Sequence, residues 1–416
     1  MRRYWGILAA LAAALSCLVA PSPAAAGHDR GDELYTPPAN EGAIEQIHDL
    51  VGEGRWREAN LIRKMVRTPQ AVWLESGTPA QAKREARDVV RRAAAKREIP
   101  VLVVYNLPFR DCAQYSAGGA LDTEAYEAWI DGVAAGIGRR EAIVIVEPDG
   151  LGIIPFNTDL NGNAEWCQPT DEAGQPQPGA SPEERYAALN HAVKALSALP
   201  NTSVYLDGTH SDWLGVGDIA DRLVKAGVND ADGFFLNASN YQTTERQQKY
   251  GTWISSCIAF AANPDDGGWR LGHYEYCASQ YYPADPGDFD TWGLTDQWYT
   301  DNLGSAVPVE HFVVDTSRNG QGPWTLPADH PEGDPEVWCN PPGRGLGLRP
   351  TTETGVELLD AYVWIKIPGE SDGSCRRWGP GPEDPVRGIV DPPAGAWFDD
   401  LALELVANAD PPLGRR

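Results

Sequence analysis

Three aspartates in this chain, Asp111, Asp149 and Asp372, each follow a short apolar run of strand type. Residues 101–105 lead to Arg110-Asp111-Cys112, residues 142–146 to Glu147-Pro148-Asp149, and residues 362–366 to Glu370-Ser371-Asp372. A carboxyl against an apolar wall has its pKa raised by desolvation, and a second carboxylate nearby raises it further. Such a group keeps its proton and can act as a general acid. Each aspartate also has a plainer reading. Asp149 could cap a helix N-terminus, Asp111 could pair with Arg110 at the surface, and Asp372-Gly373 could be an ordinary turn. The recurrence carries the signal, because three further runs also end in polar groups: 203–206 before Asp207, 234–236 before Asn237 and Asn240, and 312–314 before Asp315.

Barrels of parallel strands converge their catalytic groups at the carboxyl ends of the strands. A seventh run, 71–74, carries Trp73. Between the runs lie segments with apolar residues three and four apart, at 79–96, 123–139, 182–199 and 212–226, which predict helices. Ser181-Pro182-Glu183-Glu184 has the N-cap, first-turn proline and acids of a helix start. Strand and helix alternate, so the sheet is expected to be parallel and the fold class α/β. Three long stretches, 155–180, 242–303 and 319–352, are expected as loops on the face that carries the aspartates, where long loops act as lids or binding walls.

The chain has 15 tryptophans. Most belong to the core, but Trp73, Trp213 and Trp338 stand beside strand ends or polar clusters, where an indole face can stack on the CH face of a sugar ring. Asn157, Asp159, Asn161 and Gly162 echo the start of a calcium loop, yet Gln168 stands where a bidentate glutamate is needed, so a polar loop is expected. His210 has no second histidine at a ligand spacing, and hydrogen bonding is its default role. Neither a metal nor a cofactor is expected. Asn201-Thr202-Ser203 and Asn237-Ala238-Ser239 match the glycosylation sequon.

Arg2-Arg3, an apolar stretch over 5–19 and Ala24-Ala25-Ala26 read as an export signal cleaved after Ala26. Its removal takes away two arginines and no acids, moving the formal charge from -25 to -27. Such a chain is repelled by phosphate backbones and anionic lipid, so neither nucleic acid nor membrane is an expected partner and a neutral substrate fits better. The expected location is extracellular. Six cysteines remain, an even number without CxxC spacing, which points to disulfides. Fifteen connectivities are open; pairing in chain order is favoured, Cys112 with Cys167, Cys257 with Cys277 and Cys339 with Cys375. Roughly 390 residues suit one barrel with long loops. The expected organisation is a signal at 1–26, a short segment at 27–45 and one catalytic domain at 46–416, monomeric.

The specific strings resemble glycoside hydrolase family 6, the cellulases that cut β-1,4-glucan with inversion. They are Val104-Tyr105-Asn106-Leu107-Pro108-Phe109-Arg110-Asp111-Cys112, Val146-Glu147-Pro148-Asp149, Leu206-Asp207, Asn237-Ala238-Ser239-Asn240-Tyr241, Trp338-Cys339-Asn340-Pro341 and the stretch from Lys366 to Gly373. The resemblance runs from Trp73 to Trp397-Phe398 and implies a distorted barrel of seven parallel strands. By it, Asp149 matches the catalytic acid, Asp111 the aspartate that raises the acid's pKa and organises the attacking water, and Asp372 the residue proposed as base. Tyr105 matches the tyrosine beneath the distorted sugar. Trp73, Glu75, His210, Trp213, Asn240, Trp338, Lys366 and Glu370 match positions along the glucan, with Asp207 and Arg110 in support. The usual disulfides correspond to Cys112 with Cys167 and Cys339 with Cys375.

Two departures stand out. Gly208-Thr209 precede His210, where a small residue then glycine is usual. Ala117 stands where many members have serine, so either Ser116 takes that place or the water is held differently. Inversion needs acid and base carboxyls roughly 6.5 to 9.5 Å apart. The stretches 241–302 and 319–352 resemble the longer bacterial exo-acting members. This implies a cellobiohydrolase acting on cellulose and cello-oligosaccharides, with an open-cleft endo-β-1,4-glucanase as the alternative. A silent glucan-binding protein is less supported, because no carboxylate is missing.

Overall fold

The computed structural model describes residues 33 to 414, so the expected export signal lies outside the described residues. Seven strands pair in chain order, every neighbour parallel. They are β1 (Val72–Leu74), β2 (Val101–Val104), β3 (Ala142–Val146), β4 (Thr202–Asp207), β5 (Gly233–Leu236), β6 (His311–Asp315) and β7 (Leu359–Val363). The sheet curls into the distorted barrel expected. At its seam Ala71 N donates to Trp364 O at 2.9 Å and the Trp73 indole to Ile365 O at 2.8 Å.

The strands are largely apolar because both faces are covered. Alternate residues point outward, among them Leu102, Val104, Val144, Val146, Phe234 and Phe312, into a layer shared with the helices. The others, including Val101, Val103, Ile143, Ile145, Phe235 and Val313, fill the barrel interior up to Tyr105. The outer helices are α3 (Pro79–Lys96), α4 (Thr123–Ile137), α5 (Pro182–Ser197), α6 (Val216–Lys225), α7 (Thr244–Ala262) and α8 (Gly293–Asn302). Helix α3 starts on a capping box between Thr78 and Gln81 with Pro79 in the first turn, and α5 starts with Ser181 accepting from Glu184 N. A separate apolar cluster joins α1 (Glu41–Gly52), α2 (Trp56–Met65) and α9 (Asp399–Ala407) to Trp364 beside the seam. Helix α1 spans the boundary expected at residue 45.

Several expectations are corrected. The last strand ends at Val363 rather than Lys366, because Asp315 draws the Lys366 N–H onto its carboxylate at 3.0 Å and the ladder stops. The stretch 242–303 holds α7 and α8 instead of a loop. Its helical period is interrupted by Gly251, yet a Cβ there would lie 2.6 Å from the Phe312 ring, so the glycine lets α7 close on β6. Helix α6 begins at Val216, leaving 212–215 in the site loop. The other two stretches, 155–180 and 319–352, contain neither helix nor strand. The pairs Cys112–Cys167, Cys257–Cys277 and Cys339–Cys375 are all formed.

Candidate active site

The loops after the strands enclose a cleft of about 590 Å³. Every expected site residue lines it except Asp207: Asp149, Asp111, Asp372, Tyr105, Trp73, Glu75, Arg110, His210, Trp213, Asn240, Trp338, Lys366 and Glu370. The Asp207 carboxylate is buried and accepts from Leu151 N, Gly152 N and Thr209 N at 3.1, 3.2 and 2.9 Å. It acts on the turn that carries Asp149 and does not reach the cleft.

Asp149 is not a helix cap; a turn and the long 155–180 loop follow it. The chain leaves β3 with Glu147 and Asp149 both left-handed, at φ 58° and 64°, a conformation non-glycine residues adopt only where their surroundings hold them. The holding contacts are visible. Glu147, fully buried, accepts from Asn106 N at 2.9 Å and Leu107 N at 3.1 Å, fastening the β3 turn to the β2 turn. Arg185 of α5 reaches up to donate to Gly150 O and Ile153 O at 2.8 Å and Pro108 O at 3.1 Å. Burial pushes the Asp149 carboxyl well above the usual carboxylate range, and the charges of Asp207, Asp111 and Asp372 push it the same way. A carboxyl raised in this way is suited to hold the proton that a general acid delivers.

Asp111 sits on a left-handed turn, φ 58°, that the Cys112–Cys167 disulfide ties to the loop after β3. Its Oδ2 accepts from Ser116 N at 2.6 Å, and Ser116 itself lines the cleft beside Ala117. Burial raises its pKa to about 6, against the Ser116 N–H and the Arg110 charge. Arg110 forms no ion pair with it. The guanidinium instead donates to the Ser116 and Glu75 carbonyls at 2.9 and 3.0 Å and lies 4.5 Å over the Tyr105 ring, so it braces the loop.

Asp372 is enclosed by donors: Arg318 at 2.9 and 3.0 Å, Tyr241 Oη at 3.0 Å, Asn340 N at 3.0 Å, with Lys366 Nζ at 3.8 Å. The Arg318 and Lys366 charges hold its pKa below the ordinary value despite burial. It is an ionised, saturated carboxylate, the opposite of Asp149. Sequence reasoning did not single out Arg318 or Tyr241; both stand a few residues past a strand end, the signal that flagged the aspartates.

The aromatic groups are held in place by polar contacts. Trp73 stands edge-on to Tyr105 at 5.3 Å, with its indole N–H on Ile365 O. Trp213 packs on Gly152, where a Cβ would sit 2.3 Å from the ring. Trp338 lies 6.3 Å from Tyr115. His210 accepts from Asp212 N, and burial lowers its pKa to about 4, leaving it a neutral hydrogen-bonding group. Trp166 and Trp324 also line the cleft. They come from the two long loops, and Trp166 could have been inferred from its place beside Cys167. The Asp159 carboxylate is occupied by Asn161 N and by Asn163 N and Nδ2 of its own loop. Asn237 of the second sequon is buried and bonded to Gln242 O and Asp315 O.

Raised carboxyls bear on stability as well as chemistry. Glu147 is lifted to about 7 and Asp207 to about 6, chiefly by burial. Between their ordinary values near 4 and these raised values the fold holds protons that the unfolded chain has released. Stability is therefore full below about pH 4 from these groups and is lost as pH rises through 6 to 7. The net charge of -25 acts in the same direction. The melting temperature is expected to be several degrees higher at pH 5 than at pH 8 by scanning calorimetry; the reverse trend would mean these carboxylates are ionised in the fold.

A parallel β/α barrel whose strand ends bring a protonated carboxyl, ionised carboxylates and indole faces into one cleft has the makings of a glycoside hydrolase. The chain belongs to glycosyl hydrolases family 6, whose family model matches residues 29–409. It is 34% identical to endoglucanase A of Cellulomonas fimi over 86% of this chain, and spans 59% of that protein's length. It is 29% identical to a probable 1,4-β-D-glucan cellobiohydrolase C of Aspergillus niger, over 92% of this chain and 77% of that protein. Among solved structures, the endoglucanase Cel6 of Mycobacterium tuberculosis, in complex with methyl-cellobiosyl-4-deoxy-4-thio-β-D-cellobioside, superposes with a TM-score of 0.63 at 31% identity, covering 91% of this chain and 97% of that one.

Proposed function

We propose that this protein is a secreted, inverting cellulase that hydrolyses β-1,4-glucosidic bonds and releases cellobiose from chain ends. The observation that carries the chemistry is the split between carboxyls in one cleft: Asp149 held protonated, Asp111 titrating at about 6 and Asp372 held ionised. Asp149 protonates the leaving glycosidic oxygen while water attacks the opposite face of the sugar. Asp372 is a poor proton acceptor, because its oxygens are already shared among Arg318, Tyr241 and Asn340. We therefore assign acceptance of the water's proton to Asp111, reached through water held by the Ser116 segment. Asp372 supplies negative charge beneath the developing oxocarbenium ion. Tyr105 forms the floor under the distorted ring, and Trp73, Trp213 and Trp338 are the stacking platforms along the glucan.

Chain-end action is supported by how the walls of the cleft meet. The segment after β2 contributes Tyr115, whose hydroxyl donates to Glu336 in the β6–β7 loop at 2.8 Å, and Trp338 of that loop packs against the Tyr115 ring. Walls joined in this way favour threading over mid-chain entry. The three disulfides fit an oxidising compartment and hence secretion. The test is product analysis on cellohexaose and phosphoric-acid-swollen cellulose, with anomers resolved. Predominant α-cellobiose with few new insoluble ends is expected. Mixed oligosaccharides with many insoluble ends would replace this reading with an endo-acting cellulase, the activity named for the Cellulomonas and Mycobacterium relatives.

A further inference from the structure

The charge of this chain is strongly segregated. Between Arg55 and Arg97 it carries twelve Lys and Arg against four Asp and Glu, although the whole chain is at -25. Part of that positive charge faces one groove of about 790 Å³, which shares no lining residue with the cleft and where residues 35–39 run beside α3 and the α1–α2 pair. Arg63 and Arg67 of the α2 end and Arg92 and Lys96 of α3 line it, over a floor that includes Tyr35 and Pro38. No acidic side chain lines it. Lys96 is partly engaged, donating to Thr36 O at 3.1 Å and lying 3.6 Å from Glu98, but Arg63, Arg67 and Arg92 have no ion-pair partner among the described residues.

We propose that this groove binds a carboxylate-bearing polysaccharide, a polyuronate, as a second glycan site distinct from the hydrolytic cleft. Guanidinium groups pair with carboxylates in forked geometry, and the surfaces of Pro37 and Pro38 offer apolar contact to sugar rings, while Tyr35 is buried beneath Lys96. Charge complementarity selects a thin polymer over a globular partner. An acidic protein large enough to cover the groove would also meet the acidic remainder of this chain, whereas a single glycan strand stays within about 8 Å of the basic walls, the range over which fields persist in physiological salt. The choice of a glycan rests on the proposed hydrolysis of β-1,4-glucan, which already makes a polysaccharide the substrate of this chain.

The test titrates the full chain with polygalacturonate oligomers by calorimetry, separately from cellohexaose hydrolysis. The expected result is binding that weakens at least tenfold in 0.5 M salt and at least tenfold in the triple variant Arg63→Glu, Arg67→Glu, Arg92→Glu, with cellohexaose hydrolysis unchanged in that variant. The milder pair Arg67→Gln, Arg92→Gln serves if the triple variant does not fold. Failure of polygalacturonate to bind, or equal binding by variant and parent, overturns the proposal. Polyglutamate or duplex DNA binding as tightly as polygalacturonate would overturn the assignment to a glycan. Loss of hydrolysis in the parent would strike the cellulase reading while leaving the binding result to stand or fall by itself.

Discussion

Asp149→Asn is expected to lower the rate of cellohexaose hydrolysis by about 10²- to 10⁴-fold, the range a positioned general acid contributes, while sparing oligosaccharide binding. The side chain keeps its shape, so the loss tests the proton and not the packing. On 2,4-dinitrophenyl β-cellobioside, whose phenolate departs without protonation, the same variant should lose far less. An equal loss on both substrates would show that Asp149 acts on the fold or the sugar ring instead. The raised pKa adds a second readout. Part of it comes from the Asp111 charge, so Asp111→Asn should let Asp149 ionise at lower pH. The alkaline limb of the residual activity is then expected to move toward acid.

Asp372→Ala is expected to destabilise the fold by about 3–5 kcal/mol, because it strands a fully buried guanidinium. Arg318 has no exposed surface, and among the described residues Asp372 is its only carboxylate partner within salt-bridge distance. Urea titration followed by tryptophan fluorescence measures this directly. Replacing Arg318 with Met in the same chain should recover part of the loss, since removing both charges of a buried pair costs far less than removing one. The two roles for Asp372 part company here. If it were the proton acceptor, an added small anion such as azide would restore turnover in the alanine variant; as an electrostatic group only, it leaves azide without effect. Restoration by azide would return the base role to Asp372 and take it from Asp111.

Much of the site was legible because most strands are covered on both faces and so read as short apolar runs, with the polar residues after them marking the active end. That rule located Asp111, Asp149 and Asp372, and it placed Asp207 at the right turn but on the wrong side of it. A carboxylate at a strand end can face the cleft or reach back to the backbone, and Asp207, the last residue of β4, does the latter to hold Leu151 and Gly152. The strand rule failed at β7 for a related reason. Residues 359–363 include Asp360, which spoils the apolar run, yet it belongs there because Tyr205 and His311 each bond it at 2.7 Å.

Helix α7 was obscured by polar and aromatic residues whose periodicity becomes evident only when the packed face is known. Tyr250, Trp253, Ile254, Cys257 and Ile258 all turn inward. Helices α1, α2 and α9 form a cluster whose partners lie hundreds of residues apart, so no local pattern announced them together.

The count of seven parallel strands, the alternation of strand and helix in the first half of the chain, the family and most of the side chains at the strand ends could be read from the sequence. Those depend on period, composition and short contiguous strings. Only the tertiary structure decided which carboxyl holds a proton and which does not. Asp149 and Asp372 are the same residue type in similar local settings, but one lies among other carboxylates and the other against Arg318 and Lys366. Those neighbours come from distant parts of the chain, and the field that separates the two titrations exists only once the barrel has brought them together.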